Sequence, residues 1–307
     1  LFSSHTTIQD VGKWCSGTEK NLTLKGLEGS SCAILFSLLR LNNGHSMLIT
    51  MDDEEDAAYL YHDITQLMGE DAAYFYPSAY RRADIEQKDA ANEVLRTEVL
   101  DKINSGEPFI IVSFPDATAE RVVDSAELSG KTLKIHVGES VETDFIIQVL
   151  CEYGFSRVDF VYEPGQFSVR GSIIDVFSFS CEYPYRIDFF GDEIESIRTF
   201  DIENQLSLEK KESISIISNI HESNASSVSL FSLLKEDTLL CFHDFQFAFD
   251  RIDNLTESIG HDSLFIDSKT FVDESSRFKR IGFGGHEAWE KATCIHFNDS
   301  PQPVFNK

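Results

Sequence analysis

The sequence predicts an α/β protein, in which a parallel-sheet domain is interrupted by a small, mainly antiparallel β (α+β) domain. In residues 1–128 and again in residues 213–307, short apolar runs alternate with stretches of helical periodicity, as strands and helices do in a parallel sheet. In residues 129–212, apolar residues instead recur at every second position between turn residues. We therefore expect the first and third segments to form one domain around the second.

The first segment supplies the clearest buried strands and the helices between them. The runs SMLITM and FIIVSF have the length and apolar composition of strands in the middle of a sheet. Asp52 or Asp53 is placed to cap the helix that follows the first of them. The strands are expected at residues 46–51 and 109–114, and the helices at residues 30–41, 54–68 and 86–103.

The middle segment contains two candidate hairpins. In VDFVYEPGQFSVRG, Pro164 presets φ and Gly165 supplies a positive φ, so a hairpin turn is expected at residues 163–166. In YRIDFFGDEIESIRTF, the turn is expected at Gly191 and Asp192. Period-two alternation on both sides of these turns predicts the antiparallel sheet.

The third segment returns to the α/β pattern. We expect a helix over residues 227–234, a strand over residues 238–242 and a helix over residues 245–259. Before them, HESNAS (residues 221–226) is expected to be a flexible loop.

Acidic residues outnumber basic ones, 52 against 26, in this chain of 307 residues, which gives a net charge of −26. Affinity for nucleic acid depends on Lys and Arg that neutralise phosphates, so such a surface repels a phosphate backbone. Little direct DNA binding is therefore expected, although an acidic surface also simply favours solubility.

Cysteine usage and hydropathy indicate a cytoplasmic protein without a membrane segment. The six Cys are scattered without a CxxC pair or a His pair at metal-ligand spacing, so we expect reduced thiols and no metal site. No apolar run reaches the length of a membrane span, and LFSSHTTIQD lacks the layout of a signal peptide. The absent initiator Met suggests a piece of a longer protein.

LKGLEGSSCAILFSLL can be aligned with the phosphate-loop pattern GxxxxGK[ST], beginning at Gly26 and passing through Gly29. The alignment is geometric only. Ser31 stands in place of the second Gly, Cys32 in place of the Lys, and Ala33 in place of the Ser or Thr. The loop therefore lacks both the cation that reaches the phosphates and the hydroxyl that holds magnesium.

These losses predict that the chain has no catalytic residue and needs no cofactor. The expected strand TLLCFHDF supports the same prediction. An ATPase of this type needs a pair of acids at the end of such a strand to organise magnesium and water, and Asp244 stands there without a second acid. The plain alternative is that Gly26 and Gly29 form a strand-to-helix turn with a Ser cap. Anion binding by backbone N–H groups at the start of the helix stays open.

EPGQFSVRGSIIDVF, PYRIDFFGDEIESIRTFD and SPQPVFNK, together with the altered loop, resemble the N-terminal UvrB-homology module of bacterial transcription-repair coupling factors, the Mfd family. The resemblance covers nearly the whole chain and is weakest in residues 1–25 and 222–277. It implies a degenerate RecA-like domain, of the P-loop NTPase type, split by a UvrA-binding β domain. It also implies that the full-length parent is an ATP-dependent DNA translocase whose motor lies outside this chain.

The resemblance further implies a non-catalytic adaptor that recruits UvrA to stalled RNA polymerase in transcription-coupled nucleotide excision repair. In that family the UvrA-binding surface lies on the β domain and uses two Arg and a nearby aromatic residue, at positions that match Arg170, Arg186 and Phe190 here. Arg198 is a weaker candidate for the same surface. The C-terminal domain of the full-length protein is a second implied partner, which would hide this surface until DNA is engaged.

Local periodicity supports part of this surface without the resemblance. Along YRIDFF, the side chains of Arg186, Asp188 and Phe190 project to one face, and those of Ile187 and Phe189 project to the other. An outward Phe beside an Arg is typical of an interface hot spot. The alternative is that Arg186 pairs with Asp188 or Glu195 and that Phe190 covers a small core.

Two other classes of function remain open. One is a UvrB-like NTPase or helicase fragment, against which Cys32 and Ala33 argue. The other is a direct DNA-binding module. The net charge argues against it, as does the short distance from Tyr76 to the helix expected near Glu86, which leaves no room for the DNA-clamping hairpin of UvrB.

Overall fold

The computed structural model describes residues 5–81, 84–220, 227–259, 264–286 and 289–298. Within these residues, no helix is long and apolar enough to cross a membrane.

The helices follow the amphipathic stretches of the sequence. Asp53 caps the third of them by accepting a hydrogen bond from the backbone N–H of Asp56 at 3.0 Å, as the sequence predicts. In chain order the helices are α1 (Thr6–Ser16), α2 (Ser31–Asn43), α3 (Glu54–Met68), α4 (Ala90–Ser105), α5 (Pro115–Ala119), α6 (Ser125–Gly130), α7 (Thr143–Glu152), α8 (Phe245–Ile259) and α9 (Ser268–Ser275).

The strands divide between a parallel and a mainly antiparallel sheet. In chain order they are β1 (Asn21–Lys25), β2 (Met47–Thr50), β3 (Tyr74–Phe75), β4 (Tyr80–Arg81), β5 (Asp84–Lys88), β6 (Ile110–Ser113), β7 (Val122–Val123), β8 (Thr132–His136), β9 (Ser156–Arg157), β10 (Gln166–Arg170), β11 (Ile173–Phe177), β12 (Tyr185–Phe190), β13 (Glu193–Phe200), β14 (Ser207–Lys211), β15 (Ser213–Ile217), β16 (Ser227–Val228), β17 (Leu239–Phe242), β18 (Lys279–Gly282) and β19 (Thr293–His296).

The first compact unit comprises residues 1–78, 106–122 and 227–307. Its seven-stranded sheet has the order β19-β1-β18-β17-β2-β6-β3, and all neighbouring strands are parallel. Strands β2, β6 and β17 are buried along their whole length, as expected for a parallel sheet covered on both faces. The predicted parallel α/β class is therefore confirmed for this unit.

The second compact unit comprises residues 79–105 and 123–226. Its six-stranded sheet has the order β14-β13-β12-β11-β10-β9, and β8 pairs with β15 beside it. All neighbours in the larger sheet are antiparallel except β9 and β10. The separate, mainly antiparallel sheet is thus also confirmed.

One predicted hairpin is wrong and the other is confirmed. Strand β9 runs parallel to β10, so the segment turning at residues 163–166 is a crossover loop and β10 pairs instead with β11 around Gly171. Gly165 still has the positive φ that the turn requires, +84°. The second hairpin, β12 to β13, turns at Gly191 as predicted. The turn residues were read correctly, but they do not determine strand direction.

Two helices differ from the sequence prediction. The helix expected over residues 86–103 begins at Ala90, because residues 84–88 form β5. The helix expected over residues 227–234 is instead β16 followed by a 3₁₀ turn, Leu230–Leu233, which the Ser229 side chain caps. The loop expected at residues 221–226 lies outside the described residues. The domain boundaries at residues 129 and 212 stay a prediction, whereas the compact units also assign residues 79–105 to the second unit.

Candidate protein-binding surface

The six-stranded sheet of the second unit has one apolar face and one charged face. Ile174, Ile187 and Ile197 pair across β11, β12 and β13 and are buried. They belong to a hydrophobic core that also contains Ile146 and Leu150 of α7. Helix α7 thus covers this face, and the side chains that alternate with the isoleucines must point to the other face.

The opposite face carries a row of polar and charged residues at matching positions on five strands. Ser168 pairs with Asp175, Asp175 with Arg186, Arg186 with Arg198, and Arg198 with Lys210. Side chains that are directly opposite in neighbouring strands lie close enough to interact. The register therefore brings Arg186 and Arg198, two of the predicted site residues, side by side.

Asp175 is the centre of this face. Its carboxylate is buried, and it accepts hydrogen bonds from Arg186 Nε at 2.7 Å and Arg186 Nη2 at 2.9 Å. Arg170 Nη2 donates to the same carboxylate. One carboxylate therefore fixes two of the predicted site residues. Sequence reasoning missed Asp175, although an acid inside the apolar strand IIDVF was a usable signal.

Arg186 is held inside the unit more than it is presented to solvent. Its side chain is only 12% exposed, its guanidinium lies 4.2 Å from the centroid of the Phe200 ring, and its Nη2 donates to Gln205 Oε1 at 3.0 Å. The hydrogen bonds to Asp175 raise the pKa of Arg186, and burial opposes this shift. The acid partner is Asp175, not Asp188 or Glu195. Arg186 therefore acts as an internal brace of the charged face.

Arg198 is also paired. Its Nη2 lies 2.8 Å from Asp188 Oδ2, which accepts a further hydrogen bond from Ser196 Oγ at 3.0 Å. Both charged side chains are partly exposed. Arg198 thus extends the charged face, but its guanidinium already has an acid partner within the sheet.

Phe190 is the most exposed large apolar side chain among the described residues, at 78%. The preceding residue, Phe189, is buried in the core, and a register shift lies between Asp188 and Phe189. The predicted alternation along β12 is confirmed, because Ile187 and Phe189 point inward and Phe190 points outward. Because it is so exposed, the Phe190 ring contributes little to the hydrophobic core of its own unit and is available to a partner.

The phosphate-type loop connects β1 to α2 through Gly26 and Gly29, both with positive φ. Ser31 Oγ donates to the Glu28 carbonyl at 2.8 Å and accepts from the Glu28 N–H at 3.0 Å, so it closes the turn. The helix cap expected of a Ser is not made by Ser30, the residue before α2, because its Oγ donates to Asp63 Oδ2 at 2.8 Å instead. The loop is thus a strand-to-helix turn with carboxylates beside it.

The backbone of Phe297, which follows β19, leaves little space at Gly26. A Cβ atom added there would meet the Phe297 carbonyl oxygen at 2.2 Å. At the positions aligned with the Lys and the Ser or Thr of the phosphate-loop pattern, Cys32 is half-buried and Ala33 is buried in α2.

Acidic residues at the ends of two neighbouring strands are engaged by protein groups. Asp244, which follows β17, accepts a hydrogen bond from the Phe247 N–H at 3.0 Å and so caps the start of α8. Asp52, which follows β2, lies 2.7 Å from His243 Nδ1. Within the described residues, no group of three or more His, Cys, Asp or Glu side chains is arranged to hold a metal ion.

The Asp52 contact predicts a pH-dependent stability. The hydrogen bond to Asp52 raises the pKa of His243, with further contributions from the charges of Asp52, Asp56 and Asp244 and an opposing one from burial. Because the pKa of His243 is higher in the folded state, its contact with Asp52 contributes to the free energy of unfolding. This contribution is fully present below the unfolded pKa of about 6.5 and is lost as pH rises through the folded pKa. We expect Asp52→Asn to reduce the free energy of unfolding more at about pH 6 than at about pH 9.

Denaturant unfolding at the two pH values measures this difference. Asp237→Asn, at an exposed position of the same unit, is the matched control and should have the same small effect at both. An equal loss of stability at both pH values for Asp52→Asn would show that the His243 contact is not a titrating ion pair.

The strands that carry the charged face lie within a segment that matches a known protein family. The UvrB interaction domain family matches residues 133–221, which include β8 to β15 except the first residue of β8. The transcription-repair-coupling factor of Bacillus subtilis is 31% identical over 199 residues, which is 64% of this chain and 17% of that protein. The Escherichia coli protein of the same name is 26% identical over 69% of this chain and 19% of its own length.

A second type of relative matches as well. UvrABC system protein B of Chlorobium limicola is 28% identical over 197 residues, which is 59% of this chain and 29% of that protein. The chain therefore spans less than a third of the length of each of these relatives. Residues 133–221 match the UvrB interaction domain family, and the chain is similar to transcription-repair coupling factors over about two thirds of its length.

Proposed function

We propose that this chain is a non-catalytic adaptor that binds UvrA through the charged face of the second unit. In this proposal it recruits UvrA to RNA polymerase stalled at DNA damage, in transcription-coupled nucleotide excision repair. The observation that carries the proposal is the buried Asp175 carboxylate, which fixes Arg170 and Arg186 on the charged face of the sheet, within the segment that matches the UvrB interaction domain family.

The composition and rigidity of the face suit protein recognition. Arg and aromatic side chains contribute most to interface hot spots. Among the predicted site residues, Phe190 is exposed and Arg170 is the Arg with the most accessible side chain, at 36%. Because Asp175 already orders Arg170, less conformational entropy is lost when a partner binds. In a chain of net charge −26, these cations favour an acidic patch on the partner.

The predicted site residues have different roles in this proposal. Arg170 and Phe190 contact the partner, whereas Arg186 acts through Asp175 and is a positioning residue. Arg198 contributes positive charge at the edge of the face while it remains paired with Asp188.

Titration of the wild-type chain against purified UvrA from the same organism tests the proposal. We expect saturable binding, and Phe145→Ala should leave it unchanged, because Phe145 is an exposed aromatic residue on α7, which covers the other face of the sheet. The absence of binding by the wild-type chain would overturn the proposal.

We also propose that the phosphate-type loop does not hydrolyse ATP. The loop lacks the Lys and hydroxyl of its pattern, and Glu28 and Asp63 add negative charge where phosphates would lie. We expect no magnesium-dependent binding of radiolabelled ATP, with an intact UvrB as the positive control. Tight magnesium-dependent binding by this chain would favour the NTPase alternative.

For the full-length protein we propose an ATP-dependent DNA translocase, in which a C-terminal domain is a second partner of this chain. If the C-terminal domain covers the charged face, the full-length protein should bind UvrA more weakly than this chain does in the same titration. Equal affinities would argue against such masking.

A further inference from the structure

The loop between β9 and β10 presents two aromatic side chains to solvent. Phe160 is 47% exposed and Tyr162 is 62% exposed, whereas Val161 between them is buried. Together the two aromatic side chains form a small exposed apolar patch, and contiguous patches of this kind mark sites of protein–protein contact.

This loop is fixed by its own hydrogen bonds. Gln166 Oε1 accepts from the backbone N–H groups of Tyr162 at 2.9 Å and Glu163 at 3.4 Å, and Gln166 Nε2 donates to Glu163 Oε1 at 2.8 Å. The Gly165 N–H donates to the Phe177 carbonyl at 2.8 Å. The two aromatic side chains therefore project from an ordered backbone, which lowers the entropic cost of binding.

Close packing at Gly165 holds the loop against the sheet. A Cβ atom added there would meet the ring of Phe179 at 2.6 Å. Because its φ of +84° also excludes most side chains, only Gly allows this close approach. The conformation at Gly165 thus helps to fix the position of the loop that carries Phe160 and Tyr162.

Arg170 connects the loop to the charged face. Its guanidinium lies 5.0 Å from the centroid of the Phe160 ring and also donates to Asp175. The Arg170 side chain is 36% exposed, so its charge is accessible beside the Phe160 ring. A cation held against an exposed ring can receive a carboxylate while the ring receives an apolar side chain.

We propose that Phe160 and Tyr162 form, with Arg170, a second contact patch of the partner-binding surface, here called the aromatic loop patch. It takes a UvrA segment in which an acidic residue adjoins an apolar one. The aromatic loop patch rests on the proposed function, and its two aromatic residues, Phe160 and Tyr162, are indicated neither by the family resemblance nor by the β12 pattern. The charge of the chain supports this choice of ligand, because an acidic segment is repelled by the net charge of −26 and attracted to the Arg170 guanidinium.

Titration of the full chain against UvrA tests the aromatic loop patch. Phe160→Ala is expected to weaken binding about tenfold or more, with Phe145→Ala, an equally exposed aromatic of the same unit, as the matched control. Thermal unfolding of each variant checks that the fold is kept. The Arg170 guanidinium lies against the Phe160 ring, so the effects of changing the two residues should not add. The double variant, Arg170→Ala with Phe160→Ala, should therefore lose less binding free energy than the sum of the losses in the two single variants.

The outcomes separate this inference from the proposed function. If Phe190→Ala weakens binding and Phe160→Ala stays within about twofold of wild type, the adaptor proposal holds and the aromatic loop patch is wrong. If the wild-type chain does not bind UvrA, both proposals are overturned. Loss of affinity in Phe160→Ala, with an unchanged melting temperature, supports the patch.

Discussion

Asp175→Ala is expected to lower the free energy of unfolding of the second unit by about 3–5 kcal/mol, because it leaves the largely buried Arg186 guanidinium without its carboxylate. Arg170 loses the same partner, so its position beside Phe160 is no longer fixed. UvrA binding should therefore weaken even under conditions where the variant is fully folded. Asp175→Asn keeps the shape and should cost less than Asp175→Ala.

Denaturant unfolding followed by circular dichroism measures this loss. The two tryptophans, Trp14 and Trp289, both belong to the first unit, so their fluorescence reports on that unit by itself. Asp188→Ala is the matched control on the same sheet face. Its partner Arg198 is more exposed, so the cost should be at most about 1 kcal/mol. Equal costs for the two variants would mean that Asp175 does not organise the face.

Phe190→Ala is expected to weaken UvrA binding by about 2 kcal/mol, or about thirtyfold in affinity, as for a central anchor of an interface. The same change should alter the free energy of unfolding by no more than about 0.5 kcal/mol, because the ring is 78% exposed.

Calorimetric titration and thermal unfolding of the same preparations test this separation. Arg186→Ala provides the contrast, since it should lower both affinity and stability by removing the fork on Asp175. An unchanged dissociation constant for Phe190→Ala, in a chain whose wild type binds UvrA, would remove Phe190 from the binding surface.

Local patterns were sufficient to predict most of the architecture. The apolar runs of β2, β6 and β17 indicated a buried parallel sheet, and the alternation along β12 predicted which of its side chains would be buried. Helix α8 was predicted at its observed bounds. Such features could be predicted because periodicity and turn chemistry depend on residues close together in the sequence.

The direction of a strand and the identity of its neighbours in the sheet could not be predicted from such local patterns. The turn at Gly165 was correctly recognised, but the parallel pairing of β9 with β10 depends on where the chain travels between them. Similarly, the helix expected over residues 227–234 gave way to a strand and a 3₁₀ turn. In both cases tertiary contacts decided between conformations that the local sequence allows.

Sequence patterns alone indicated the two sheet types and the outward position of Phe190, and they showed Cys32 and Ala33 where the phosphate-loop pattern has Lys and Ser or Thr. Only the tertiary structure decided that Arg170 and Arg186 share Asp175 and that Arg186 is mostly covered. The features indicated by the sequence follow from residue type and local periodicity. The contacts of Asp175 depend on the register of three strands, and register is fixed by the packing of the whole sheet.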